Sequence, residues 1–116
     1  MLLIFTAQPW KYDSSSKLLT NKEGVWTSDE TWNIPAEGAE GNIDGISAGQ
    51  VLGLKDDATD VGTEVILEDA DSTDQQIWSL EMGDDDFFTL KNKINDKILT
   101  AKTSTKMTIE GNMYLN

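Results

Sequence analysis

Two segments of the chain share one hydrophobic spacing, and that repeat limits the accessible folds more than any other feature. In "GNIDGISAGQVLGLKDD", Ile43 precedes Val51 and Leu52 by eight and nine residues. In "FFTLKNKINDKILTAKT", Leu90 precedes Ile98 and Leu99 by the same intervals. Turn formers fill both gaps: Gly45, Ser47 and Gly49 in one, Asn92, Asn95 and Asp96 in the other. Each unit therefore reads as strand, turn, strand. A fainter third copy, "SSSKLLTNKEGVWTSDE", runs from Leu19 to Val25 and Trp26 and is two residues shorter. After the middle copy, "GTEVILED" alternates as a further strand, entered by a turn at Asp60 to Gly62. The loop "DADSTD" follows, and Ser72 with Gln75 imitates a capping box, which predicts one tight helical turn just before Gln76.

The tryptophans keep time with these units. Gln8 stands two residues before Trp10, Gln76 two before Trp78, and Glu30 takes the glutamine's place before Trp32. Residues i and i+2 of a strand share a face, so each pair sets an amide or carboxyl beside an indole. Trp32 and Trp78 are 46 residues apart, Trp10 and Trp32 only 22. Trp78 is followed by 38 residues and Trp10 is reached after ten, together 48, close to the middle interval. This predicts a closed three-fold ring with repeats of about 10–32, 33–78 and 79–116, the last completed by a strand from residues 1–9. The indoles are expected to meet in a shared core, and the glutamine amide to bond backbone at the adjoining turn, because a buried polar group needs a partner.

Composition narrows the function classes. A chain of 116 residues, 38% hydrophobic, with nine glycines and four tryptophans, makes one folded domain with a modest core. It has no cysteine and no histidine, which removes disulfides, thiolate metal sites and imidazole-based triads. The net charge of -12 opposes nucleic-acid binding and attraction to anionic membranes. "MLLIF" is too short for a signal-peptide core or a membrane span, which makes the cytoplasm the default compartment.

The residues Gln8-Pro9-Trp10, Gln76-Ile77-Trp78, "SAGQVLGLKDDATDVGTEVILED" and "FFTLKNKINDKILTA" resemble the ricin B-type (QxW) lectin-like β-trefoil family. The order "QPWKYDSSSKLLTNKEG", "VLGL", "QQIW" is similar to the second and third repeats of animal galactose-binding trefoil lectins, with the last unit like a first repeat moved to the end. The resemblance implies an all-β, β-trefoil fold and a single lectin-like domain. The first unit departs from it, since five residues between Trp26 and Trp32 leave no room for four strands. A permuted, trimmed trefoil and a fragment of a larger tandem protein, then secreted or not, both stay open.

The resemblance also implies sugar binding, usually of galactose-type glycans. In such pockets an aspartate after the second strand's leucine accepts hydroxyls, an aromatic ring stacks on the sugar, and an asparagine before the QxW glutamine adds hydrogen bonds. Here the aspartate positions hold Gly53, Thr100 and Thr27, "VILED" offers no aromatic, and Gln75 stands for the asparagine. Asp56, Asp57, Glu68 and Gln75 are candidates for a different pocket around the same turns, and Trp26 is a candidate stacking ring. Gln76, Trp78, Trp10 and Trp32 read as residues that hold the fold, and Asp84, Asp85 and Asp86 as a solvated turn. Calcium-loop frames starting at Asp57 or Asp69 fail at the required ligand positions, leaving only an irregular contact at Asp69, Asp71 and Asp74. No catalytic motif stands out among 21 acidic residues. The expectation is a non-enzymatic carbohydrate-binding module without metal or cofactor. The alternative is a trefoil that has lost sugar binding and serves protein interaction or packing.

Overall fold

The tryptophan segments form strands because their large and branched residues alternate with polar ones and are bounded by glycine, serine and aspartate turns. The computed structural model describes residues 10–21, 30–60, 62–83, 87–101 and 113–115. These contain the strands β1 (Trp10–Asp13), β2 (Leu18–Asn21), β3 (Trp32–Asn33), β4 (Glu40–Gly41), β5 (Asp44–Gly45) and β6 (Gln50–Leu54). Then follow β7 (Val65–Glu68), β8 (Trp78–Met82), β9 (Phe88–Asn92), β10 (Leu99–Ala101) and β11 (Met113–Leu115). Two single 3-10 turns, η1 (Lys55–Asp57) and η2 (Asp74–Gln76), interrupt them. The candidate Trp26, the first glutamine, Gln8, and Asp84 to Asp86 lie outside the described residues.

Each tryptophan meets the next strand in the same register: Trp10 faces Asn21, Trp32 faces Gly45 and Trp78 faces Asn92. Its other edge meets the strand behind, again equivalently. Trp10 faces Phe88 and Trp78 faces Gly41, while Trp32 N donates to Lys17 O at 2.9 Å. Phe88, Gly41 and Lys17 each stand two residues before Leu90, Ile43 and Leu19, the apolar residues that open the three units. The strands therefore run β1, β2, β3, β4 with β5, β8, β9 and back to β1, a closed ring of three related pairs: the β-trefoil plan. Closure matters because strands this short are unstable as free edges.

The three indoles are fully buried, and Leu19, Ile43 and Leu90 pack with them, joined by Leu52 and Leu99. Burying each such side chain contributes about 1.5–3 kcal/mol. Trp10 Nε1 donates to Leu99 O at 3.0 Å, and Trp78 Nε1 donates to Leu52 O at 3.1 Å. Trp32 Nε1, buried like the others, has no hydrogen-bond partner among the described residues. Outside the ring, β6 pairs with β7, and β10 pairs with β11 so that Leu99 faces Leu115. Leu115 also exchanges backbone bonds with Gly62 and Thr63, tying the last described strand to the middle unit.

Polar side chains hold the turns in two ways. Asn92 in the last unit donates to Gln75 O at 2.8 Å and accepts from Ile94 N at 3.0 Å. That turn closes with Asp96 N donating to Asn92 O, and Asp96 takes a left-handed φ of 58°. In the middle unit Gly45 replaces the asparagine, yet the turn has the same form, closed by Gly49 N donating to Gly45 O. A β-carbon on Gly45 would come within 3.0 Å of Leu67 and 3.3 Å of the Glu30 side chain. Glu30 fills that space: Oε1 accepts from Ser47 N at 2.7 Å and Thr31 N at 2.9 Å, and Oε2 from Ala48 N at 2.9 Å. Three N–H donors call for an acceptor-only group, which a carboxylate is and a glutamine amide is not. This is the physical reason for glutamate where the repeat suggests glutamine.

Burial by itself would raise the Glu30 pKa, but the amides of Ser47, Ala48 and Thr31 together outweigh it and hold the carboxyl below its ordinary value. A lowered folded pKa means that its stabilisation is complete above the unfolded pKa of about 4.3 and fades as pH falls through the folded value. Glu30→Gln is expected to cost about 1–3 kcal/mol at neutral pH. Urea titrations of both proteins should show that gap narrowing as the pH drops below 4.3 or so; a gap that is constant with pH would refute the assignment. Likewise Trp78→Phe should be more destabilising than Trp32→Phe by about 1 kcal/mol, since only the former leaves a carbonyl without its donor. Equal midpoints and slopes would contradict that difference.

Candidate functional site

The β6–β7 hairpin places the middle unit's polar side chains. Its register sets Val51 opposite Glu68 and Gly53 opposite Ile66. The Glu68 side chain leans along the hairpin over Gly53, where a β-carbon would collide with its carboxylate. Glycine inside a strand often marks such a close approach. Glu68 Oε2 accepts from Gln76 Nε2 at 2.6 Å, and its other oxygen makes no hydrogen bond among the described residues. An acidic group thus stands over position 53 after all, delivered from the neighbouring strand rather than from residue 53.

Gln76 is the hub of this arrangement. Fully buried on η2, it accepts from Asp71 N at 2.9 Å through Oε1 and donates to Asp69 O at 2.8 Å besides Glu68. The amide does bond backbone at the adjoining turn. The single helical turn expected just before Gln76 is present as η2, which includes Gln76 itself; Thr73 rather than Ser72 is its N-cap, and no side-chain cap bond forms. Asp71 Oδ1 instead takes the Thr73 hydroxyl at 2.6 Å and the Thr73 N–H at 3.0 Å, which hold its carboxyl below the usual range.

The candidates named from sequence divide by position. Glu68 and the η2 turn bearing Gln75 come together, linked through Gln76. Gln75 is half-buried; its carbonyl accepts from Asn92, and its side-chain amide makes no hydrogen bond among the described residues. Asp56 and Asp57 are exposed on η1, both with left-handed φ (56° and 54°), past the opposite end of β6. Asp56 lies three positions beyond Gly53, the residue under the Glu68 carboxylate, or about 10 Å of extended chain. Thr100, at the aspartate position of the last unit, is buried and directs its hydroxyl to Ile98 O at 3.4 Å.

The acidic residues considered for calcium turn to separate donors. Asp69 accepts from Gln50, Asp71 from Thr73, and Asp74 lies 3.9 Å from Lys93. Among the described residues no group of three acidic side chains could hold a metal ion. Sequence reasoning overlooked the Gly53–Glu68 exchange. The signal is a glycine inside a strand, which along the sequence reads only as a lost aspartate.

What the site offers chemically is a fixed carboxylate acceptor beside amide donors and acceptors. No protein-family model and no curated protein matches the chain. Its structure is similar to the crystal structure of a designed 3-fold symmetric protein, ThreeFoil, with a TM-score of 0.63. That match covers 95% of this chain and 89% of the other at 14% sequence identity. At that identity the likeness shows the fold alone, a β-trefoil of three-fold plan.

Proposed function

We propose that this trefoil is a non-enzymatic carbohydrate-binding module that takes glycans weakly through its middle unit. One observation carries the reading: Glu68 is held over Gly53 by Gln76, with an oxygen left to accept a hydroxyl. A charge-assisted hydrogen bond from a sugar hydroxyl to such a carboxylate is worth about 1.5–3 kcal/mol, enough for weak binding when a few neutral bonds join it. Gln75 supplies an amide from the adjoining turn. The bond from the neutral Gln76 amide leaves Glu68 a plain hydrogen-bond acceptor, the role that binding a hydroxyl asks of it. Trp26, Asp56 and Asp57 remain candidates for contacts beyond this centre.

The second reading, a trefoil serving protein interaction, is favoured by the strand Val65–Glu68, whose sequence brings no ring to stack on a sugar. A glycan array followed by titration of tryptophan fluorescence separates the two. Binding by the parent chain is expected, with an affinity loss of about tenfold in Glu68→Gln. Gly53→Ala should weaken binding similarly, because the new methyl displaces the carboxylate without changing charge. A flat response across a broad panel, together with capture of a partner that competing sugars do not release, would establish the second reading instead.

A further inference from the structure

Another opening lies on the face of the middle unit made by the turn between β5 and β6. It is a shallow groove of about 400 Å³, walled by Asn33, Asn42, Asp44, Ile46 and Gln50. Its walls are fixed from behind. Glu30 holds the turn through Ser47 and Ala48, Asn42 Nδ2 donates to Gln76 O at 2.8 Å, and Gln50 Nε2 donates to Asp69 Oδ1 at 3.2 Å. Asn33 Oδ1 accepts from Lys17 at 3.4 Å.

These bonds leave a definite set of groups for a ligand. The Asp44 carboxylate has no hydrogen bond or ion pair among the described residues. The carbonyl oxygens of Asn42 and Gln50 remain as acceptors and the amide nitrogen of Asn33 as a donor. Ile46, 42% exposed, adds an aliphatic wall. Donors and acceptors interleaved at short range suit hydroxyls, which do both at once, and the aliphatic wall suits C–H groups. Asp44 within the groove, Asp69 beside it and a net charge of -12 repel anions.

We infer that this groove is a second binding site, specific for a neutral polyhydroxyl ligand such as an uncharged pyranose of a glycan, and closed to uronic or other acidic sugars. It shares no side chain with the Glu68 centre and stands without it.

Backbone amide NMR on the whole chain tests this, with galactose, glucose and glucuronic acid as probes at equal concentration. A neutral sugar should shift amides in 44–49, and glucuronic acid should not. Asp44→Ala combined with Asn33→Ala should weaken that response about tenfold while the spectrum stays folded. If the double variant does not fold, Asn33→Ala alone, at an exposed strand end, should weaken it about threefold. The inference is overturned if both neutral sugars leave 44–49 unmoved, if glucuronic acid shifts those amides equally, or if a folded variant binds as before. Shifts confined to the surroundings of Glu68 and Gln75 would remove this site and keep the earlier one. Shifts confined to 44–49 would do the opposite.

Discussion

Each tryptophan joins two strands at once, and the barrel exists because all three do so in one register. Trp10 bridges Asn21 and Phe88, Trp78 bridges Asn92 and Gly41, and Trp32 faces Gly45 while its amide reaches Lys17. Strands of two to five residues have few ladder bonds of their own. What fixes them is that the same residue supplies the pairing on both edges and a buried indole between. The three copies are not equally furnished. Two indoles donate to the carbonyls of Leu99 and Leu52, and the unit with the shortest sequence contains the third, without such a bond among the described residues.

The second regularity is an exchange between glycine and a neighbouring acid. At Gly45 and again at Gly53 a side chain is missing from its own strand, and a glutamate from another segment enters the vacated volume, beside Leu67 in the first case. The two exchanges have opposite consequences. Glu30 is buried and takes three backbone N–H groups, so both its oxygens are spent on the turn. Glu68 is half-buried and takes one amide, so one of its oxygens has no hydrogen bond among the described residues. The same device therefore yields a structural lock in one place and a candidate recognition group in the other, and hydrogen-bond accounting decides which is which.

Both candidate binding places lean on the loop from Asp69 to Gln76. Its Gln76 holds Glu68 by the side chain and Asn42 by the carbonyl, and its Asp69 holds Gln50. A loop cross-linked in this way presents its neighbours in fixed positions, so a weak ligand is spared the entropy of ordering them. Asp56 and Asp57, in contrast, sit on an exposed turn at the far end of the hairpin.

The spacing of Ile43, Leu90 and Leu19 and the recurrence of the tryptophans determined the three-fold plan, the all-β class and the residues of the core, because side-chain alternation and turn chemistry are written along the chain. The helical turn next to Gln76 was legible too, though its cap was not, since Ser72 takes a left-handed φ of 64° where an N-cap is extended. Which side chains cross from one segment to the next was decided only by tertiary structure. Glu30 capping the following unit's turn and Glu68 lying over Gly53 depend on how segments 17 and 15 residues apart in sequence are brought together. Periodicity reports which face a residue occupies, not which neighbour's empty space that residue will fill.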